Sequence, residues 1–214
     1  MRAPDAVAKP SRGVYRAAGK RALDIALVIL FLPLYLPVIA VAALFLALEG
    51  GNPFYWQKRL GRNGEHFSIL KLRTMVKDAD AKLAALCAAD PALKREWDET
   101  QKLAKDPRIT PVGHILRRTS IDELPQLWNV LKGDMSLVGP RPMMPEQLPL
   151  YGPPRHYFAV RPGITGIWQV ARRNQSSFAE RAIHDAEYNR GLSFWQDVKL
   201  LMRTVGVVLR GTGC

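Results

Sequence analysis

The sequence has 214 residues, which is enough for one globular domain together with a membrane segment. Its 31 Lys and Arg residues outnumber 19 Asp and Glu residues, and a formal charge of +12 indicates an anionic partner: nucleic acid, acidic lipid or a phosphate-rich substrate. Cys87 and Cys214 are too few and too far apart for a disulfide framework or a zinc site, which fits a reducing, cytoplasmic compartment.

The chain begins with a basic arm and continues into an apolar segment. We interpret residues 1–19 as a flexible arm, and residues 20–49 as a membrane helix, because residues 25–48 carry no charged side chain. This uncharged run exceeds the ~20 residues that a helix needs to cross a bilayer. It is too long for a signal peptide and has no small-residue cleavage site after its apolar centre.

Two prolines and the flanking charges predict the path of this segment. Pro33 and Pro37 lie near its middle, where each removes a backbone donor and favours a bend. Lys and Arg residues are dense on both sides, and the positive-inside rule places both flanks in the cytoplasm. The sequence therefore predicts a re-entrant helix-hairpin. A spanning helix with a kink is the alternative, since spanning helices tolerate proline.

Residues 50–214 are expected to form a compact cytoplasmic catalytic domain. Residues 54–57 and 66–71 have strand-like patterns, and residues 78–105 read as an exposed helical insertion broken at Asp90-Pro91. Residues 194–209 show apolar side chains at helical spacing. This amphipathic helix could lie on a bilayer surface or pack into the core. The fold class predicted is α+β, mostly helical, with amphipathic surface helices.

The segment Ser120-Ile121-Asp122-Glu123-Leu124-Pro125 carries the first candidate chemistry. A helix beginning at Asp122 tolerates Pro125 in its first turn and ends at Gly133. A helix N-terminus favours ionised carboxylates and attracts phosphate. An ionised Asp can attack phosphorus, and adjacent carboxylates can hold Mg²⁺ together with substrate phosphates. Taken alone, the pair would more often be a helix cap.

Basic residues near this pair have the character of phosphate-binding groups. In Gly139-Pro140-Arg141-Pro142, two prolines restrain one arginine, and a restrained guanidinium binds phosphate with little loss of entropy. Arg161-Pro162-Gly163 repeats this arrangement. The remaining candidates are the pair upstream of Asp122 and the end of the second strand: Arg117, Arg118, Lys71 and Arg73.

Together these motifs resemble the bacterial sugar transferase family, the small monotopic phosphoglycosyl transferases that begin exopolysaccharide, O-antigen and glycoprotein-glycan assembly. The matching segments are KRALD (20–24), GNPFYWQKRLGRNGEHFSILKLRTM (51–75), the block from DPRIT to GPRP (106–142) and RPGITGIWQV (161–170). They cover nearly everything from Lys20 onward. The insertion between Lys77 and Asp106 resembles enzymes of exopolysaccharide synthesis that transfer galactosyl or glucosyl phosphate.

The resemblance implies a role for several residues. Asp122 matches the nucleophile that attacks the β-phosphorus of a UDP-sugar, expels UMP and passes the sugar phosphate to undecaprenyl phosphate. Glu123 matches its partner in metal and proton handling, with Mg²⁺ as the cofactor. Arg141 matches the phosphate-binding arginine, and Arg161 is a second candidate. The apolar run matches the re-entrant helix, although Leu36 stands before Pro37 where relatives often have serine.

The resemblance also implies partners and a location. The partners are the UDP-sugar, undecaprenyl phosphate and inner-membrane lipid, with the catalytic domain on the cytoplasmic face and no nucleic acid bound. Oligomeric state, and with it any homo-oligomer, is not determined by the sequence. The hexose is not determined either, although residues 171–190, which include Arg172, Arg173, Asn174 and Glu187, are where we would look for sugar recognition.

Two other functions compete with this hypothesis. A membrane-anchored basic protein could bind acidic lipid or nucleic acid without catalysis, although the sequence contains no helix-turn-helix, zinc-finger or RNP-type pattern. An ordinary glycosyl transferase would leave the β-phosphate on the donor nucleotide.

Overall fold

The computed structural model describes residues 13–101, 103–171 and 180–209. Most of the predicted arm, including residues 1–12, and the predicted sugar-recognition residues Arg172, Arg173 and Asn174 lie outside these ranges. The described chain is mostly helical, as the sequence predicts.

A long helix opens the structure and carries the apolar run. A π-helical turn, Tyr15–Gly19, leads directly into α1, Lys20–Leu48, which contains both Pro33 and Pro37. Together they form the one helix of the described chain that is long and apolar enough to cross a membrane, by length and composition. The middle of α1 is largely exposed, whereas Val28 and Leu46, towards its two ends, are buried.

Three polar contacts fix Tyr15 and the first turns of α1 to the rest of the fold. Asp24 is buried, and its carboxylate accepts a hydrogen bond from the backbone N–H of Leu137 at 3.0 Å. Lys20 donates to the buried Asp197 at 2.7 Å, and the hydroxyl of Tyr15 donates to the same oxygen at 2.6 Å. The start of α1 is thereby joined to the segment around Leu137 and to Asp197 near the C-terminus.

An antiparallel hairpin follows. Strand β1, Phe54–Leu60, pairs in register with β2, His66–Leu72, across a turn in which Asn63 has a left-handed backbone. Both strands are longer than the sequence predicted, because pairing and the cover provided by neighbouring helices extend them through polar positions. The predicted helical insertion is confirmed as α2, Ala79–Ala89, and α3, Pro91–Thr100.

The segment with the candidate carboxylates departs from the predicted helix. After α4, Pro111–Thr119, Ser120 takes a left-handed conformation and residues Ile121–Gln126 form a 3₁₀ helix that contains Pro125. An α-helix, α5, covers only Leu127–Lys132 and ends at Gly133, as predicted. The prediction of an α-helix beginning at Asp122 is therefore wrong, because the left-handed Ser120 and Pro125 favour tighter i→i+3 turns here.

The remaining elements complete the domain around a short parallel pair of strands. These elements are β3 Ser136–Val138, a 3₁₀ turn Pro145–Gln147, α6 Leu148–Tyr151, α7 Arg155–Phe158, β4 Gly163–Thr165, α8 Ile167–Ala171, α9 Glu180–Gly191 and α10 Phe194–Leu209. Strands β3 and β4 are parallel neighbours. Helix α10 has the bounds that the sequence predicts; it buries Leu200 and leaves Trp195, Met202 and Val205 exposed.

Candidate active site

The site lies where the 3₁₀ helix meets the end of β2. Asn129 of α5 is 1% exposed and binds the open edge of β2, accepting from the Leu70 N–H at 3.0 Å and donating to the Ser68 carbonyl at 2.8 Å. The Asn129 amide thus makes the hydrogen bonds that the backbone of a neighbouring strand would make at that edge. It fixes the 3₁₀ helix and α5 against β2, and so places Glu123 beside Lys71.

Two basic side chains hold Glu123. Lys71 contacts Oε1 of Glu123 at 2.8 Å, and Arg141 contacts the same oxygen at 3.1 Å. Burial alone would raise the pKa of Glu123, but the charges of Arg141 and Lys71 outweigh it and hold that pKa well below its usual range. Glu123 is therefore a permanent anion that positions two cations.

Asp122 has the higher pKa of the two carboxylates. It is 8% exposed, and burial raises its pKa to about 6, with the neighbouring Glu123 adding to the rise while Lys71 opposes it. The carboxylate remains mostly ionised at pH 7. The sequence argument assigned this ionisation to a helix dipole, whereas in the structure the nearby cations Lys71, Arg117 and Arg141 favour the charged form.

Arg117 completes the cationic surroundings of Asp122. Its Nε donates to the hydroxyl of Thr74 at 2.9 Å, which fixes the guanidinium, and burial lowers its pKa while the charge of Asp122 raises it. Arg118, the next residue of α4, is exposed. Of this predicted pair of arginines, the structure brings only Arg117 to the carboxylates.

Glycine contacts determine where Arg141 lies. The N–H of Gly139 donates to the Thr165 carbonyl, and that of Gly163 donates to the Pro140 carbonyl, both at 2.8 Å. A Cβ on Gly139 would lie 2.4 Å from the Arg161 carbonyl oxygen, and a Cβ on Gly163 would lie 2.0 Å from the Gly139 nitrogen. The two Arg-Pro motifs therefore pack backbone to backbone, which only glycine permits at this separation.

Arg161 and Arg73 lie in other surroundings. The Nε of Arg161 donates to the Gly133 carbonyl at 2.8 Å, beside Arg21 rather than the carboxylate pair. Arg73 donates to the Gly50 carbonyl at 2.6 Å and to the Leu46 carbonyl at 3.2 Å, where it closes the end of α1. Both arginines are engaged with backbone carbonyls outside the group that surrounds Glu123.

Two arginines that the sequence argument missed lie near Arg141. Arg59 of β1 donates to the Pro142 carbonyl at 3.2 Å and also to Gln57; burial and the charge of Arg141 lower its pKa to about 10. The Cζ atom of Arg181, in α9, lies 4.1 Å from the centre of the Trp168 ring. Burial and, to a smaller extent, the charge of Arg141 lower the pKa of Arg181 to about 9. No local sequence pattern marks either arginine as a site residue, because contacts with residues far away in the sequence place both of them.

The carboxylate pair can accommodate Mg²⁺ in one way. Within the described residues no group of three or more His, Cys, Asp or Glu side chains could hold a metal ion. Mg²⁺, however, is commonly bound by one or two carboxylates together with substrate phosphates. Lys71 and Arg141 both contact Oε1 of Glu123, so Oε2 of Glu123 and the Asp122 carboxylate are the oxygens that would hold Mg²⁺ in this mode.

Comparison with known proteins identifies the family of the chain. The family model for bacterial sugar transferases matches residues 15–211. The chain is 44% identical to a UDP-galactose-lipid carrier transferase of Erwinia amylovora over 91% of the chain, but it spans only 41% of that protein's length. It is 40% identical to the exopolysaccharide production protein ExoY of Sinorhizobium fredii, covering 91% of the chain and 87% of that protein.

A third relative is named for its reaction. The chain is 39% identical to a UDP-glucose:undecaprenyl-phosphate glucose-1-phosphate transferase of Caulobacter vibrioides, over 89% of the chain and 69% of that protein.

Proposed function

The chain belongs to the bacterial sugar transferase family, and on that premise we propose that it transfers a hexose 1-phosphate from a UDP-sugar to undecaprenyl phosphate. The products are undecaprenyl-diphosphate-sugar and UMP, and the reaction is the first step of exopolysaccharide assembly. Relatives named for UDP-galactose and for UDP-glucose support either hexose as the sugar that is moved. The observation that carries the proposal is a buried, mostly ionised Asp122 among Lys71, Arg117 and Arg141.

Asp122 is the nucleophile in this proposal. An oxygen of its carboxylate attacks the β-phosphorus of the donor, forming an acyl-phosphate bond as the bond from that phosphorus to the bridging oxygen breaks and UMP leaves. A phosphate oxygen of the acceptor then attacks the same phosphorus and releases the carboxylate. Burial keeps the carboxylate poorly solvated, while the surrounding cations neutralise the incoming phosphates.

Glu123 has a different role, because its charge is fixed. It holds Lys71 and Arg141 in place for the donor's phosphates, and its low pKa argues against proton transfer by this group near neutral pH. We propose Mg²⁺ as the cofactor, bound by Asp122 and Glu123 with the substrate phosphates, where it would neutralise diphosphate charge.

We also propose that α1 is re-entrant and that the catalytic domain lies on the cytoplasmic face of the inner membrane. Val28 belongs to a buried cluster that contains Ile69, and Leu46 belongs to one that contains Leu72. These two β2 residues are about 10 Å apart, whereas eighteen residues of straight helix span about 27 Å. A bend at Pro33 and Pro37 accounts for the difference, with the exposed middle of α1 inside the bilayer.

The test of the reaction is a UMP-release assay on the solubilised chain with a panel of UDP-sugars and a polyprenyl phosphate. We expect release with one hexose donor, and a radiolabel in the donor's β-phosphate should follow the sugar into lipid. Asp122→Ala should abolish release, while Asp98→Asn, which changes an exposed carboxylate of the helical insertion, should not. Label that stays with the nucleotide would indicate an ordinary glycosyl transferase, and indifference to Asp122→Ala would indicate a binding protein.

A further inference from the structure

The residues between β3 and the next 3₁₀ turn form an irregular loop that carries Arg141. Pro140 and Pro142 flank the arginine and have no backbone N–H, so this loop has few donors with which to bind its neighbours. The contact of Gly139 with β4 fixes the first end of the loop. The position of Arg141 therefore also depends on what holds the second end, at Met143.

A tyrosine hydroxyl joins the second end of the loop to the last residue of β1. The Leu60 N–H donates directly to the Met143 carbonyl at 2.9 Å. The Met143 N–H donates to the Tyr157 hydroxyl at 3.1 Å, and that hydroxyl donates to the Leu60 carbonyl at 2.6 Å. In an antiparallel pair of strands, both bonds between two such facing residues are direct. Here the Tyr157 hydroxyl is inserted into one of the two bonds and bridges the backbones.

The surroundings of Tyr157 suit its hydroxyl to this bridge. The residue is 1% exposed and belongs to a buried cluster with Leu60, Met143 and Tyr151. Its ring makes edge contacts with the rings of Tyr151 and Phe158, which restrict its orientation. Burial raises the pKa of Tyr157 above its usual value, so the hydroxyl keeps its proton and remains a donor throughout the physiological pH range.

The bridge lies next to two arginines that repel each other. Arg59 directly precedes Leu60, and Arg141 lies two residues before Met143. Burial and then the charge of Arg141 lower the pKa of Arg59, because the two guanidinium groups lie within range of each other's charge. Like charges repel strongly where water is scarce, so the backbones that carry them must be held together. The bonds among Leu60, Met143 and Tyr157 hold these two backbones.

We propose that Tyr157 is a positioning residue for the donor's phosphates: its hydroxyl holds the loop against β1 and thereby keeps Arg141 near Arg59 at the site. The proposal rests on the proposed function, in which Arg141, in contact with Glu123 at 3.1 Å, faces the donor's diphosphate. Removing the hydroxyl leaves the Met143 N–H without its acceptor and allows Arg141 to move away from Arg59.

The test compares Tyr157→Phe, which removes the bridging hydroxyl but keeps the ring, with Tyr15→Phe. This control also removes a hydroxyl hydrogen bond, but that bond joins Tyr15 to Asp197, at 2.6 Å, rather than to β1 or the loop. Hydrogen–deuterium exchange, followed by mass spectrometry, reports on the hydrogen bond of the Met143 N–H. The burst of UMP released without acceptor, measured over a range of UDP-sugar concentrations, reports on binding of the donor.

We expect Tyr157→Phe to increase deuterium exchange in peptides that contain Met143, and to raise the half-saturating donor concentration of the burst about fivefold. The maximal burst rate should stay within about threefold of the parent rate, because the substitution leaves Asp122 in place. Tyr15→Phe should match the parent chain in both measurements. If Tyr157 served stability alone, Tyr157→Phe would instead lower the burst amplitude, through loss of active protein, at an unchanged half-saturating concentration.

Each failure identifies the statement that is wrong. Unchanged exchange at Met143 in Tyr157→Phe would overturn the bridge itself. Increased exchange together with a parent-like half-saturating concentration would overturn the positioning role, while the transferase function would stand. A parent chain that releases no UMP from any UDP-sugar would overturn the proposed function, and with it the positioning of a donor, even where exchange at Met143 confirms the bridge.

Discussion

At the scale of single residues, the two adjacent carboxylates have different roles because their surroundings differ. Glu123 touches two cations directly, and its pKa is held low. Asp122 is buried with its cations further away, and its pKa is raised to about 6. Glu123 is thereby held in its charged form, whereas Asp122, the proposed nucleophile, titrates closer to neutral pH. The sequence shows the pair but not this difference, which depends on the cations that the fold brings into contact with each side chain.

The raised pKa of Asp122 predicts an acid limb in the pH profile. The nucleophile must be ionised, and its ionised fraction falls as the pH drops through about 6, so kcat/KM should fall about tenfold for each further pH unit. Lys71 is the largest influence that lowers this pKa. Lys71→Met should therefore move the acid limb to higher pH and reduce activity at pH 7, as measured by UMP release across pH 5–9.

This measurement needs a control variant, and it must allow for a second carboxylate that titrates in the same pH range. Lys132→Met removes a largely exposed lysine, paired with Asp134, and should leave the limb in place. Asp185 also titrates in this range, since burial raises its pKa to about 7, but the groups that act on it are Tyr151 and Arg181 rather than Lys71. A limb that Lys71→Met does not move would assign the titration to another group and contradict the role given to Asp122.

At the scale of elements, the site is assembled by backbone contacts between segments that are far apart in the sequence. Asn129 fixes α5 to β2, and Gly139 packs on Gly163 between the two Arg-Pro motifs. Strands β1 and β2, the interrupted insertion and α10 could be predicted from local patterns, whereas the short strands β3 and β4 were not predicted. The 3₁₀ helix could not, because it depends on the left-handed Ser120, and Arg59 could not be predicted because pairing with β2 and proximity to Pro142 place it.

The glycine contact predicts the effect of one added methyl group. Gly139→Ala would place a Cβ 2.4 Å from a backbone oxygen, and overpacking of this kind typically costs about 1–3 kcal/mol of unfolding free energy. We expect a lower Tm and reduced kcat/KM, since Arg141 lies two residues away. Gly206→Ala in α10 meets nothing within 4 Å and is the control. An unchanged Tm and activity in Gly139→Ala would show that this contact does not position Arg141.

At the scale of the whole molecule, residues near both ends of α1 contact the rest of the fold. The start is held through Asp24 and Lys20, and the end through Arg73 and the cluster around Leu46. The sequence predicted a re-entrant path from the charges on both flanks, and both that path and the position of the bilayer remain predictions. The roles of Arg73 and Arg161 as phosphate ligands also remain predictions, although the structure places both against backbone carbonyls.

Cysteine labelling tests this topology. In a background without Cys87 and Cys214, Val14→Cys and Asn52→Cys place one thiol before α1 and one after it, at exposed positions. A re-entrant helix predicts that a membrane-impermeant maleimide labels neither position in intact cells and both in inverted vesicles. Labelling of one position alone in intact cells would show that α1 spans the bilayer.

The central claim is that Asp122 carries the sugar phosphate during the reaction. The most direct measurement is to incubate the solubilised chain with a UDP-sugar labelled in the β-phosphate, without acceptor, and to locate the label by peptide mass spectrometry. The account predicts one equivalent of UMP released and a phosphosugar on Asp122, discharged when polyprenyl phosphate is added. An Asp122→Asn chain that still makes lipid-linked product at the parent rate, or turnover with no labelled peptide, would contradict it.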